Sequence, residues 1–88
     1  MYPYKTSEKL DKILLKLSKK NKQLYEQILK KINEVANSYN IESYKNLRYN
    51  LKDFKRVHVG HFVLVFHYNK QSNLILFEYF DHHDNIYK

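Results

Sequence analysis

An arginine and a histidine stand two positions apart, Arg56 and His58, in a run where apolar and polar residues alternate. Side chains two apart on a β-strand project side by side from one face, about 7 Å apart. A second ionisable group follows an apolar stretch near the end of the sequence and includes His82, His83 and Tyr87. An arginine can stabilise the charge of a pentavalent phosphate, and histidines can move protons near neutral pH. Together these residue types would suit phosphodiester cleavage.

Two amphipathic helices are predicted ahead of these residues. Apolar side chains recur at helical spacing, first from the N-cap candidate Ser7 to residues 19–20, then from Asn21 to about Asn37. A short β-prone segment, 2–6, precedes them and contains Pro3, which restricts it to a strand start or a sheet edge. Two basic helices joined by a few residues predict a helical hairpin that buries one face.

A change of period predicts three strands after the helices. From Phe54 the apolar residues alternate, which indicates strands over 54–59, 62–68 and 74–80, with the only glycine, Gly60, at a tight reversal. The last two strands are apolar on both faces, as expected for central positions. The predicted fold class is therefore α+β, in the order β-α-α-β-β-β, with the helical hairpin on one face of a small antiparallel sheet. We expect residues 1–88 to form a single domain.

The predicted sheet leaves one face uncovered by helices. Val57 and Val59 supply the natural core side of the first hairpin strand, so Arg56 and His58 fall on the open side. In a three-strand meander the chain after the third strand returns beside the second. The C-terminal histidines are therefore expected within reach of Arg56 and His58.

Composition limits the class of protein. The chain has 88 residues, and 16 Lys+Arg against 9 Asp+Glu give a net charge of +7, which favours a polyanionic or acidic partner. Much of that charge could also simply keep a small protein soluble. The absence of cysteine excludes disulfides, thiolate zinc sites and cysteine nucleophiles. No apolar run approaches a membrane span and no signal peptide is recognisable, so we expect a cytoplasmic protein that has no membrane partner.

Other chemistry receives less support from the spacing. His82 and His83 with Asp81 and Asp84 could hold a metal, but adjacent histidines on a strand point to opposite faces, so we expect neither a metal nor another cofactor. No serine stands in a nucleophile-elbow turn. Three tyrosines could stack on bases, although packing of their loop on the sheet is the more ordinary role; they are Tyr39, Tyr44 and Tyr49.

Two segments of the sequence resemble a known family. Residues 47–66 resemble the central block of the RelE/ParE toxin superfamily, whose pattern is L-x-G-x-x-x-x-x-(Y)-R-V-R-V-G-D-Y-R-V-I-Y. The ending 82–87 is similar to that family's H-R-x-x-V-Y terminus. The helical hairpin, the element order and the length agree as well, so the resemblance covers essentially the whole chain.

This resemblance implies a toxin of a type II toxin–antitoxin pair. RelE-like members cleave mRNA in the ribosomal A site, where the neighbouring 2′-OH attacks the scissile phosphate. The implied partners are a RelB-like antitoxin, the ribosome and mRNA. The positions that match the family's motifs give the expected catalytic set of Arg56, His58, His83 and Tyr87. The expected RNA-binding residues are Arg48, Lys52, Lys55 and His82.

Two departures from the family pattern keep other functions open. Val63 and His83 stand where the family commonly has arginine. The site therefore either uses a histidine-based mechanism or is weakly active, with Lys52 and Lys55 as possible sources of the missing charge. The alternatives are a ParE-like inhibitor of DNA gyrase that has no catalytic activity, and a weakly active basic RNA-binding domain.

Overall fold

The computed structural model describes residues 1–47 and 52–87. Its elements, in chain order, are β1 (Tyr4–Thr6), α1 (Glu8–Lys20), α2 (Lys22–Ala36), a 3₁₀ turn (Ile41–Ser43), β2 (Lys55–Val59), β3 (Phe62–Asn69), β4 (Leu74–His82) and α3 (His83–Ile86). The predicted fold class and element order are confirmed. The closing helix α3 is an addition that the sequence pattern did not indicate.

Side-chain caps begin both long helices where the sequence predicts. The Ser7 hydroxyl accepts from the Leu10 N–H at 3.0 Å, and the Asn21 side chain accepts from the Leu24 N–H at 3.2 Å. Each cap satisfies one of the amide groups that a helix start leaves unpaired. In the described ranges, 1–47 and 52–87, the helices are too short or too polar to cross a lipid bilayer.

The four strands form one sheet in the order β1-β4-β3-β2. The apolar strands β3 and β4 are central, as predicted, and β2, β3 and β4 pair as an antiparallel meander. The expectation of a wholly antiparallel sheet needs one correction, because β1 pairs parallel with β4. The helical hairpin supplies the long crossover that a parallel pair requires, and it covers one face of the sheet.

The main core lies between the hairpin and that face. Its largest fully buried side chains include Phe66, Phe77, Leu10 and Ile28. The first two come from the central strands and the last two from the helices, so burial of these side chains fixes the hairpin on the sheet. The Ser7 hydroxyl adds a hydrogen bond to the Glu78 carbonyl at 2.5 Å, which ties the start of α1 to β4.

Strand β4 contains a β-bulge at Glu78. Val65 pairs with Tyr79, whereas the next residue of β3, Phe66, pairs with Phe77, so Glu78 is the extra residue on β4. Such a bulge shifts the alternation of side chains by one. Phe77 and Phe80 consequently both face the helices, and Tyr79 reaches the opposite face.

Candidate active site

The face of the sheet that turns away from the helical hairpin is called here the open face. Strand pairing places Arg56, Val65 and Tyr79 in one row of this face and His58, Val63 and Asp81 in the next. A small second core of Leu47, Val63 and Val65 lies on it, with Phe54, Tyr79 and Ile86 packed around. Val63 is completely buried, so the position that commonly holds arginine in the family serves packing in this chain.

Helix α3 brings the C-terminal residues onto the open face. The His83 N–H donates to the His61 carbonyl at 2.9 Å, which ties the start of α3 to the turn between β2 and β3. Ile86 then packs on the second core. This short helix therefore returns the chain from the end of β4 toward β2.

The four predicted catalytic side chains lie together as a result. The ring centroids of His58 and His83 are 5.9 Å apart, those of His58 and Tyr87 are 6.5 Å apart, and those of His83 and Tyr87 are 4.5 Å apart. The Arg56 guanidinium lies 5.3 Å from the centre of the Tyr87 ring. The catalytic roles of these residues remain predictions, but the arrangement joins one fixed cation, two imidazoles and a phenol in one place.

Arg56 shows a further sign of a functional role. Its Nε–H is buried and has no hydrogen-bond partner within residues 1–47 and 52–87. A buried donor without an acceptor costs stability, about 1–3 kcal/mol, so packing alone gives no reason to retain an arginine here. Its stacking on the exposed Tyr87 ring presents the guanidinium beside an aromatic surface that a nucleotide could cover.

Asp81 is a site residue that sequence reasoning missed, since it was considered only as a metal ligand. Its carboxylate accepts hydrogen bonds from the His82 N–H at 2.7 Å, the Asn85 amide at 3.0 Å and the Tyr79 hydroxyl at 3.0 Å. These bonds hold α3 at the end of β4. The Asn85 hydrogen bond contributes most to lowering the pKa of Asp81, and the His82 and Tyr79 bonds act in the same direction against the effect of burial.

Substitution of Asp81 should make this contribution visible in the pH dependence of stability. Because the folded-state pKa is lowered, the carboxylate stabilises the fold above about pH 4 and loses that effect as the pH falls through the folded value. We expect Asp81→Asn to reduce the free energy of unfolding by about 1 kcal/mol at pH 7. Urea unfolding at pH 7, 5 and 3 should show the difference from wild type shrinking at the lowest pH. The exposed Asp53 provides the control Asp53→Asn, and an equal loss in both variants would contradict the specific role.

Of the predicted RNA-binding residues, Lys55 and His82 do not join this centre. Lys52 is exposed in the turn before β2. Lys55 faces the helix side, where its ammonium donates to the Tyr44 carbonyl at 3.0 Å and to the Asn46 side chain at 3.1 Å. The structure therefore does not bring the Lys55 charge to the open face.

His82 and Arg48 complete that predicted set. The His82 ring lies edge-on to Phe62 at 5.4 Å, and its Nδ1 accepts from the Asp84 N–H at 3.2 Å, so it caps α3 and stands apart from the four catalytic candidates. His67 lies farther along β3 and packs on Phe54, with ring centroids 5.9 Å apart. Arg48 lies outside the described residues.

The remaining predictions concern metal binding and the three tyrosines. Within residues 1–47 and 52–87, no group of three or more histidine, aspartate or glutamate side chains could hold a metal ion. Tyr44 packs edge-on to Phe66 at 5.6 Å, which is the packing role considered for the loop, whereas Tyr39 is fully exposed. Tyr49 lies outside the described residues.

Comparison with known proteins places this chain in a class. No protein-family model matches the chain. A protein of Methanocaldococcus jannaschii that carries the name toxin RelE4 is 51% identical in an alignment of 89 positions, which covers 100% of this chain and 93% of that protein. The crystal structure of a metal-bound toxin from Helicobacter pylori superposes with a TM-score of 0.75 at 28% identity, over 98% of this chain and 99% of that one.

A toxin–antitoxin complex shares the same fold. The RelBE2 complex of Mycobacterium tuberculosis matches with a TM-score of 0.63 at 19% identity, over 92% of this chain and 96% of that one. At this identity the similarity concerns the fold alone. The sequence match to the RelE4 protein decides the classification, and the chain belongs to the RelE family of toxins, whose members act in toxin–antitoxin systems.

Proposed function

We propose that this chain is a ribosome-dependent mRNA endonuclease that inhibits translation in the cytoplasm. The observation that supports it most directly is the group on the open face, in which the Arg56 guanidinium lies 5.3 Å from the Tyr87 ring and two imidazoles stand alongside. Structural packing does not require this combination. These side chains can supply the positive charge and the proton transfers that cleavage of an RNA phosphodiester by its own 2′-hydroxyl requires.

The proposed reaction is an in-line transesterification. The 2′-oxygen forms a bond to phosphorus while the bond from phosphorus to the 5′-oxygen of the next nucleotide breaks, which leaves a cyclic phosphate and a free 5′-hydroxyl. One imidazole of the His58–His83 pair takes the proton of the 2′-hydroxyl, and the other gives a proton to the leaving oxygen. Arg56 stabilises the negative charge that develops on the phosphate. Tyr87, 37% exposed, provides a ring on which the reacting nucleotide stacks.

The histidine pair replaces fixed charge that relatives obtain from arginine. Arg56 is the one permanent cation in the proposed catalytic set, because the Val63 position is packed into the second core and His83 holds the other family arginine position. The basic character of the site therefore depends on imidazoles, which can exchange protons near neutral pH. A partner antitoxin that covers this face would block the reaction, and the M. tuberculosis structure is a complex of a toxin with an antitoxin.

Cleavage of ribosome-bound message is the test. Ribosomes stalled on a defined mRNA with an empty A site should yield cuts at that codon when wild-type protein is added, and the same message without ribosomes should stay largely intact. Primer extension locates the cuts. Intact message together with inhibition of DNA gyrase supercoiling would overturn the proposal and indicate the ParE-like function.

A further inference from the structure

A groove lies next to the proposed active site, and the reaction proposed above does not use it. It has a volume of about 580 Å³ and lies between α2 and the turn that joins β2 to β3. The residues that matter for what it could bind are Gln27, Lys30, Lys31 and Asn33 from α2, with His58 and Gly60 from the hairpin. We call it the α2 groove.

His58 connects the α2 groove with the proposed catalytic group. The same side chain lines the groove and stands 5.9 Å, ring to ring, from His83. Strand β2 lies at one edge of the sheet, so the groove runs from the open face around that edge to α2. An extended chain that passes through the reacting centre beyond His58 would enter this groove next.

The floor of the groove is accessible at Gly60. This residue has a φ of 61°, and no heavy atom of residues 1–47 and 52–87, apart from its two chain neighbours, lies within 4 Å of the position that a Cβ would occupy. The backbone of the turn is thus left uncovered by any side chain of its own. A ligand backbone can therefore approach it closely.

The walls of the groove offer hydrogen-bond donors and one uncompensated positive charge. Lys31 is paired with Glu34 at 2.6 Å, whereas Lys30 is exposed and forms no ion pair with any residue in the ranges 1–47 and 52–87. Gln27 and Asn33 add exposed amides. Lysine, glutamine, asparagine and backbone N–H groups are the donors that proteins use to bind phosphate and sugar oxygens.

We propose that the α2 groove holds the RNA backbone on one side of the cleavage position, with Lys30 at a phosphate and Gln27 or Asn33 at neighbouring oxygens. The inference rests on the proposed RNA cleavage and adds a binding site outside the catalytic group. An acidic protein segment would also be attracted by Lys30, and Glu34 in the same groove would repel either kind of polyanion, so charge does not decide between the two. The continuity through His58 favours the strand that the active site itself binds.

Binding of single-stranded RNA tests the groove independently of cleavage. The probe is a fluorescent 12-nucleotide RNA with a 2′-deoxy nucleotide at the cut position, which cannot react, and the readout is anisotropy at several salt concentrations. We expect Lys30→Ala in the full chain to weaken binding about fivefold to tenfold. The slope of log affinity against log salt should fall in magnitude by about 0.7, the value for one phosphate contact on a single strand.

Lys16→Ala is the matched control, because Lys16 is an exposed lysine on α1 and its loss changes the net charge equally. It should alter binding less than twofold, and Lys30→Arg should bind like wild type. Probes shortened from either end add a geometric test. If the nucleotides on the side of the groove are removed, wild type and Lys30→Ala should bind the probe with the same affinity. If the nucleotides on the other side are removed, the difference in affinity should persist.

The outcomes separate the groove from the proposed activity. If Lys30→Ala and Lys16→Ala change the RNA affinity equally, or if neither changes it, the groove proposal is overturned. This holds even if the wild-type protein cuts message. A Lys30→Ala variant that binds RNA normally but binds the antitoxin more weakly would assign the groove to an acidic protein and overturn it as well. Wild type that fails to cut, combined with a specific Lys30 effect on binding, would overturn the endonuclease while the groove stands.

Discussion

Arg56→Ala should lower kcat for cleavage of ribosome-bound message by about 10²- to 10³-fold, the usual cost of removing a main electrostatic stabiliser of a transition state. Arg56 is the one permanent cation in the proposed catalytic set, and its guanidinium lies 5.3 Å from the Tyr87 ring. Without Arg56, only the imidazoles would remain in the proposed catalytic set to stabilise the negative charge that develops on the phosphate. The measurement is single-turnover cleavage at saturating protein, so that weaker binding does not mask the effect.

The conservative variant Arg56→Lys distinguishes charge from geometry. Lysine keeps the positive charge but loses the planar group that stacks on Tyr87 and donates in a fork. We expect Arg56→Lys to stay at least about tenfold below wild type and above Arg56→Ala. Because the Arg56 Nε–H has no partner within the described ranges, the alanine variant should not be less stable in urea. Cleavage within threefold of wild type by Arg56→Ala would contradict the proposed role.

His58→Ala should reduce kcat by about 10²- to 10⁴-fold, the range for loss of a general acid or base. The His58 ring is 5.9 Å from His83 and 6.5 Å from Tyr87, so it stands at the centre of the proposed catalytic group. If the two imidazoles act in one reaction, the double variant with His83→Ala should be hardly worse than either single variant. The pH–rate profile of His58→Ala should also lack one limb of the wild-type profile.

His61→Ala is the matched control for His58. His61 is exposed in the same hairpin turn, and it contacts α3 through its backbone carbonyl, which the substitution leaves in place. Its cleavage rate should stay near wild type. Added imidazole should partly restore cleavage by His58→Ala and have no effect on Arg56→Ala. Full activity of His58→Ala would remove His58 from the chemistry and contradict the proposed proton transfers by the His58–His83 pair.

The sequence predicts those features of the fold that depend on neighbouring residues in the chain. Spacing of two places Arg56 and His58 on one strand face, and Ser7 and Asn21 are recognisable as caps because they precede helical runs. The family motif then adds His83 and Tyr87 to the same group. The structure agrees with each of these placements.

The features of the fold that the sequence does not predict depend on contacts between segments that are distant in the chain. Helix α3 has only four residues, which is too few for a helical repeat of apolar positions to be visible in the sequence. Its stability depends on contacts with Asp81, His61 and the second core. The sequence offers Asp81 only the role of a metal ligand, which the spacing does not favour, because the Asn85 amide reaches its carboxylate only once α3 has formed. The parallel pairing of β1 likewise depends on a crossover that the short edge strand does not encode.

The bulge at Glu78 gives β4 one residue more than its pairing with β3 uses, because Phe77 pairs with Phe66 and Tyr79 pairs with Val65. In evolutionary terms, this is a position where β4 can lose a codon and keep the same faces. In-frame loss of residue 78 would leave the flanking residues in regular alternation, with Phe77 and Phe80 toward the helices and Tyr79 and Asp81 on the open face. The extra carbonyl that accepts from the Ser7 hydroxyl would be lost, so such a deletion would weaken the tie between α1 and β4 and leave the C-terminal helix on its side of the sheet.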